Sequence, residues 1–499
     1  MKKLWWIIAG VIALALLWFL RPWLHGFVMP FIISPLRIVL VLAIIAGLFG
    51  LIRSLKGVHL EQVSPQNFAL KASKGFRPQS AFLYGFLIVS ILILLGVENA
   101  ARYYITSKQI DYEKRTEFPS FEPLRLTPKQ VASRYASDSF QNPQEYLGDS
   151  QIIMDDGVLK RVFPRLPDGG ILYFFKKLSG FVTVDVGTLN REVKIEDQEF
   201  KYSEGVGVFD NLYYRLLLKK FFVTYSSEPI YLKNDQDEWV TAVPYIKYRG
   251  FPFTVPYWAG VMIVETDGKI TDYSPEDAQK LSYTKNNRLH PKEIVDFYTE
   301  SYSYKNGLIN KWFLHKDQIE VVHLGYDERI IHSSTTEGLK QFVVAEPYGR
   351  SYGIYKIFIF DATTGQREIM EFDQDSQLTG PVAAADYIKK AFPTYSWDMF
   401  TLSEPRPVVV NENLSWMLSI IPLDSAGIAK TVLFDAKTNN VTGFDTEEEL
   451  QNFLKTGSNF VESETNAVTP PATDTGGKQQ IKEKIELIER ELNELKNLL

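Results

Sequence analysis

The chain contains no cysteine, which removes disulfides, thiolate metal sites and thiol catalysis from consideration. Histidine is scarce as well, with six in 499 residues, and none stands in the His-Glu-x-x-His arrangement that presents two ligands on one helical face. His315, His323 and His332 are close in sequence but lack acidic ligands at helical spacing, so they read as ordinary exposed or core histidines. No Gly-x-Ser-x-Gly elbow, Gly-x-x-x-x-Gly-Lys phosphate loop or dinucleotide fingerprint is present. Asp235-Gln-Asp237 and Asp373-Gln-Asp375 open like calcium loops, yet neither continues to Gly at the sixth position and Glu at the twelfth. The net charge of -6 and the want of a basic stripe with interleaved aromatics leave nucleic acid without a recognition surface. No catalytic, cofactor or metal site follows from the residues, and the expectation is a protein that is not an enzyme.

Long apolar runs, by contrast, crowd the first hundred residues at 4–20, 36–52 and 81–97. About 20 residues of helix span roughly 30 Å of hydrocarbon, so each run predicts a transmembrane helix. A cleaved signal peptide does not suit the first, because Arg21-Pro22-Trp23 follows it without a small-residue cleavage site. The loop between the second and third runs carries Arg53, Lys56, Lys71, Lys74 and Arg77 against Glu61, and Lys2 and Lys3 precede the first run. Basic loops stay in the cytoplasm, which predicts a multi-pass cell-membrane protein with a cytoplasmic N-terminus and with residues after about 98 extracytoplasmic. Arg37 is the one interior charge this reading leaves among the helices, and it can snorkel to the headgroups.

The organisation expected beyond the anchor (1–98) is a juxtamembrane stalk and proline-punctuated connector (99–126), then two extracytoplasmic α+β regions (127–280 and 281–456). Size permits this, since 45% hydrophobic and 14% aromatic residues can fill such cores. One local pattern recurs at 181–195, 261–273, 357–369 and 432–444: a β-branched or aromatic strand, an acidic turn with Thr, Gly or Asn, and a second strand. Each predicts a hairpin, with the acidic side chain accepting hydrogen bonds from turn amides rather than performing chemistry. Helices are expected beside them from Pro275, Pro291, Pro381 and Thr446, where proline or a capping residue meets acidic or amphipathic sequence. The fold class is α+β on antiparallel hairpins.

The turn Asp361-Ala362-Thr363-Thr364-Gly365, entered from Ile357-Phe358-Ile359-Phe360 and left through Gln366-Arg367-Glu368-Ile369, resembles the hairpin of PepSY-type domains, small α+β modules of bacterial envelope proteins. Asp435-Ala436-Lys437-Thr438-Asn439-Asn440 is similar, with Asn in place of the turn Gly. The resemblance covers about fifteen residues per copy. It implies binding or regulation in the envelope, sometimes of peptidases, and transfers no functional residue.

Residues 457–477 are rich in Ser, Thr, Pro and Gly and predict a flexible linker. It leads to 478–499, where Ile481, Ile485, Ile488, Leu492, Leu495 and Leu499 alternate spacings of four and three, a coiled-coil seam. The seam predicts a homo-oligomer or capture of a partner helix; a helix folding back on its own domain is the alternative. Phe251, Phe253, Tyr257 and Trp258 form the densest proline-aromatic cluster, a candidate protein-binding surface or else a core closure. The sequence therefore predicts a membrane-anchored scaffold or binding component of a cell-envelope assembly, with the bilayer and envelope proteins as partners. The alternatives are an envelope hydrolase or peptidase regulator, and a subunit of a multimeric transporter or channel.

Overall fold

The computed structural model describes residues 2–54, 58–64, 67–72, 78–324, 329–349, 353–373 and 377–457. Three long helices lead the chain: α1 (Lys2–Ile33), α2 (Leu36–Ser54) and α3 (Pro78–Gln109). Two stretches, Leu36–Ser54 and Phe82–Gln109, are long and apolar enough to cross a membrane. Small residues let α2 and α3 approach closely, since a Cβ on Gly47 would lie 3.1 Å from Ile88 and one on Gly50 would lie 2.6 Å from the Tyr84 ring. Arg37 at the start of α2 is paired with the buried Glu98 of α3 at 2.9 Å, so it is not the lone charge the sequence suggested. α1 runs past the predicted end of its apolar stretch, with Arg21 stacked over Trp18 at 3.6 Å and both Pro22 and Pro30 inside the helix. Between α2 and α3 the basic loop folds into a two-stranded antiparallel ladder, Val58–Ser64 with Asn67–Ala72, which sequence reading had missed.

Beyond α3 the connector is built into the domain. Glu113–Lys114 adds a parallel strand beside Arg367–Glu371, and Arg115 is paired with Glu337 at 2.8 Å and Glu368 at 2.9 Å. Phe121 and Leu126 are buried. Burial of these two side chains explains why the proline-rich stretch does not stand off as a spacer.

The remainder is mixed α+β, and one plan is used four times. A helix comes first: α4 (Lys129–Ser139) in the first repeat, then Leu212–Lys219, Lys292–Tyr302 and Pro381–Ala391. A long central strand follows in each: Val158–Pro167, Trp239–Arg249, Gly338–Pro347 and Asn413–Pro422. One edge of the central strand pairs with two short strands in series. In the first repeat these are Glu145–Leu147 on its far half and Gln151–Asp155 on its near half. The other edge pairs with a hairpin, and all four segments recognised from their turns form that hairpin.

The acidic turn residues Asp185, Asp361 and Asp435 act as expected, while in the second hairpin Asp267 takes the turn amide and Glu265 pairs with Lys269. Asp361 Oδ1 accepts from the amides of Thr363 and Thr364, and Asp435 Oδ1 from those of Lys437 and Thr438. Gly365 is required by its φ of 75° and because a Cβ there would lie 2.5 Å from His290 Cδ2. The carbonyl after each acidic turn residue takes an amide from the segment entering the repeat's helix: Leu126 to Val186, Lys201 to Thr266, Leu289 to Ala362 and Thr379 to Ala436. Shared apolar cores join the first repeat to the second through Phe181 and Trp239, the second to the third through Val255 and Ile294, and the third to the fourth through Phe342 and Trp416. A further core joins the fourth back to the first through Ile421 and Phe163, so the four repeats close into a cycle.

The coiled-coil seam from Ile481 to Leu499 and the linker from 458 onward lie outside the described residues.

Candidate functional site

Closing four repeats into a cycle brings equivalent positions to one centre. The residues just ahead of, or opening, the second strand of each repeat (Gln151, Glu228, Ile330 and Glu404) all line a single cavity of about 670 Å³. Its wall is strongly basic, with Arg125, Lys129, Arg134, Arg161, Arg288, Lys292 and Arg329 against Glu228, Asp296 and Glu404. Ile152, Leu324, Ile331 and Pro405 supply an apolar share.

A short motif explains much of the charge. Arg125-Leu126-Thr127-Pro128-Lys129 leads into α4, and Arg288-Leu289-His290-Pro291-Lys292 leads into the third-repeat helix Lys292–Tyr302. Proline fixes φ for the helix start, the preceding residue is held extended, and the Leu plugs the core, being fully buried in both copies. Arg and Lys are thereby fixed at the mouth of a helix whose cap residue, Pro128 or Pro291, offers no side-chain oxygen to the first amides.

Each copy meets a glutamate from another repeat. Glu404 accepts from the Lys129 amide at 2.7 Å and lies 3.4 Å from Arg125 Nη2. Glu228 accepts from Arg288 Nη1 at 3.0 Å and pairs with Lys292 Nζ. Glu228 and Glu404 both stand two residues before their strands, Ile230–Lys233 and Arg406–Val410, so the two clusters use equivalent positions of alternate repeats. Burial opposes the charge on Glu228, but Arg288 and Lys292 outweigh it and hold the carboxyl at about 2. Glu404 is likewise held below the usual carboxylate range, burial being overcome by Arg125 and Arg406.

The positive charge still exceeds the negative. Arg161 is buried and donates from Nη1 to Ser150 Oγ at 3.0 Å, and Arg288 Nη2 reaches Gln151 Oε1 at 3.3 Å. Arg125 is 8% exposed, and its Nε is sealed from solvent without a hydrogen-bond partner among the described residues; Gln130 Oε1 and His332 Nε2, on the same wall, are in the same condition. Burial first, and Arg288 second, push the His332 imidazole down to about 3, so it is neutral. Arg134 is committed elsewhere, donating to the carbonyls of Pro422, Leu423 and Ser425. Buried guanidinium groups with a donor left over are the groups with which a protein can hold an anion. The charges that act on His332 are those of Arg288, Glu228, Arg125 and Arg161.

Sequence-predicted positions fall differently. Phe251 is 76% exposed, Phe253 and Tyr257 are half-buried, and Trp258 packs into two cores with its indole donating to the Gly260 carbonyl at 3.0 Å. The candidate surface is thus split, its tip outward and its base closing a core, because Phe251 lies on the turn before the strand Val255–Val264 whereas Trp258 lies within it. The seam residues Ile481, Ile485, Ile488, Leu492, Leu495 and Leu499 lie outside the described residues. His315 stacks on Tyr348 at 4.0 Å, His323 is exposed and His332 lines the cavity. Among the described residues no group of three or more His, Asp or Glu side chains is placed to hold a metal ion.

The basic cavity itself was missed. The signal that could have found it is the recurrence of Arg-Leu-x-Pro-Lys, at 125 and again at 288. No family model matches the chain, and no curated protein matches it either.

Proposed function

We propose that the chain is a membrane-anchored, non-enzymatic binding component of a cell-envelope assembly, and that the basic cavity is its recognition site for an anionic ligand. The anchor holds the four-repeat domain on the extracytoplasmic side, and the cavity receives a phosphate- or carboxylate-bearing group. The observation that carries this reading is the pair of Arg–Lys–Glu clusters together with the buried Arg161 and with Arg125 Nε, which has no hydrogen-bond partner among the described residues. A cavity of this size and charge stabilises a bound anion through charge-assisted hydrogen bonds, which are roughly twice as strong as neutral ones. The PepSY-like hairpins fit the same role, since such modules bind or regulate rather than catalyse. The C-terminal seam from Ile481 to Leu499 gathers copies of the chain or captures a partner helix once the anchor has concentrated them in the membrane plane.

Thermal-shift measurement of the solubilised full chain against phosphate-, carboxylate- and sulfate-bearing compounds tests the reading. Stabilisation by anions that disappears in Arg125→Gln and Arg288→Gln is expected; indifference to every anion would sink it. Light scattering on the full chain and on one ending at Gly477 tests the seam, with a fall in mass on truncation expected for self-assembly.

A further inference from the structure

The β-rich domain hides most of its aromatic side chains; among described residues 110–447 six phenylalanines are more than 60% exposed, while the other exposed aromatics, Tyr146, Trp312, Tyr348 and Tyr387, reach 50% at most. Phe174 is 64% exposed, Phe175 81%, Phe209 61%, Phe222 64%, Phe251 76% and Phe313 74%. They sit on five separate loops or short helical turns between the larger elements, and each touches α1 or α3, or abuts a segment that does. Phe209 lies 6.0 Å from Phe19 of α1. Gly207, two residues earlier, donates its amide to the Tyr173 carbonyl at 2.6 Å, which places Phe174 and Phe175 beside it. Phe222 contacts Phe221 at 5.0 Å, and Phe221 meets His25 of α1 at 5.4 Å. Phe251 tips the loop in which the Thr254 hydroxyl donates to the Ile33 carbonyl and the Thr254 carbonyl accepts from Arg102 of α3. Phe313 follows Lys305, whose carbonyl accepts from Lys108 Nζ of α3 at 2.9 Å.

Exposed phenylalanine scattered singly over a surface needs no explanation, but six gathered around the helices do. Basic residues accompany them: Lys176 follows Phe175, Lys220 precedes Phe221, Arg249 stands two before Phe251, and Lys311 two before Phe313. α1 adds exposed Trp18 and Trp23, with Arg21 between them in sequence. Large apolar side chains flanked by Lys and Arg, with tryptophan alongside, are the composition of segments that lie in the headgroup region.

We propose that these five loops form a lipid-docking collar that seats the β-rich domain on the surface of the bilayer entered by α2 and α3. The proposal rests on reading those two helices as membrane spans. The collar shares its face with the helices: Arg37 and Glu98 pair where α2 begins, and the Thr254 and Lys305 contacts follow within three turns of α3. The phenylalanines enter the interface; Lys176, Lys220 and Lys311 are engaged by Gln144, Asp272 and Glu300, so Arg249, whose guanidinium lies over Tyr257, is the neighbouring cation placed to meet a headgroup phosphate. Seating fixes the distance of the basic cavity from the membrane, which a flexible tether would not.

Because the chain has no cysteine, single cysteines can be labelled with an environment-sensitive fluorophore in the full-length protein. Suitable sites are Phe175→Cys, Phe251→Cys and Phe313→Cys on the collar, Val382→Cys and Leu423→Cys on the fourth repeat, and Leu42→Cys within α2. In nanodiscs of anionic lipid, headgroup-level nitroxide lipids should quench the collar labels at least about two-fold and leave the fourth-repeat labels bright, as interfacial insertion requires. Deep acyl-chain nitroxide should quench the label at Leu42. Quenching at Leu42 with bright collar labels would overturn the collar and leave the spans standing. Bright labels at both would overturn the span reading along with it. Collar labels that are blue-shifted yet unquenched would mean that protein, not lipid, covers this face, and would also overturn the proposal.

Discussion

The first and third repeats open their helices with Arg-Leu-x-Pro-Lys, whereas the second opens with Asn211-Leu212 and the fourth with Gly380-Pro381. The second and fourth repeats place glutamate ahead of their second strands, at Glu228 and Glu404; the first and third have Asp149 and Arg329 at those positions. All four nevertheless share the central strand, the two short edge strands and the hairpin. Fold and chemistry are therefore carried by different residues. The fold comes from turn residues and apolar alternation common to every repeat, and the cavity from a few positions that alternate around the cycle. Each cationic motif is paired with an acid from another repeat, so neither half of the chain could bury its arginines alone.

The sharpest way to break this alternation is Glu404→Gln, which leaves Arg125 and the buried Arg406 without their carboxylate. Breaking a buried pair costs about 3–5 kcal/mol, and urea unfolding of the domain should lose an amount of that order. Glu228→Gln should cost less, about 1.5–3 kcal/mol, because its side chain is 32% exposed and water can replace part of the interaction. Equal losses at the two sites would deny the difference in burial a role.

Binding should follow the same order. Arg125→Gln is expected to weaken anion affinity roughly 10- to 100-fold in calorimetric titration, the range for a charged hydrogen bond. Arg134→Gln, whose guanidinium is engaged with backbone carbonyls, should change affinity little while lowering the melting temperature.

The turns provide a smaller contrast. Asp361 also pairs with the buried Lys340 at 3.0 Å, while Asp435 makes turn bonds to Lys437 and Thr438. Asp361→Ala should therefore cost about 2–3 kcal/mol and Asp435→Ala about 1 kcal/mol in equilibrium unfolding.

His332 distinguishes the third repeat from the first, where Ile152 holds the corresponding position in the second strand. Its folded pKa of about 3 lies below the ordinary value near 6.5. The unfolded chain thus binds the proton more readily, and stability is lost as pH falls below about 6.5 and continues to fall towards 3. Glu228, held at about 2, adds a loss that begins below its ordinary value near 4.5. The buried His290 is pushed down to about 3 in the same way, so His332→Gln should remove about half of the loss in melting temperature between pH 6.5 and 4.5, and leave the steeper loss below that.

Local signals carried a good part of this fold into the sequence. The hairpins were legible because Asp, Thr, Gly and Asn declare a turn within five residues, and the helices at Pro275, Pro291 and Pro381 because caps and prolines are equally local. The apolar runs at 36–52 and 81–97 were legible by length, and both fall in apolar helices. The ladder Val58–Ser64 with Asn67–Ala72 was hidden because the segment between the apolar runs was read for its charge rather than for strand alternation. The cavity was hidden for a different reason. Arg125 and Glu404, or Glu228 and Arg288, are far apart in sequence, and only closure of the four repeats brings them together. Phe251 was singled out as part of a surface, but its membership in a collar depends on Phe175, Phe209, Phe222 and Phe313 sharing the face, and no spacing along the chain announces that.

Titration calorimetry of the solubilised full chain, with the most stabilising anion from the thermal-shift series and with Arg125→Gln and Arg288→Gln in parallel, tests the central claim most directly. The account predicts saturable binding that weakens with salt and is lost or reduced at least about tenfold in both variants. Binding of the same strength in both variants, or no binding by the wild-type chain to any anion, would contradict it.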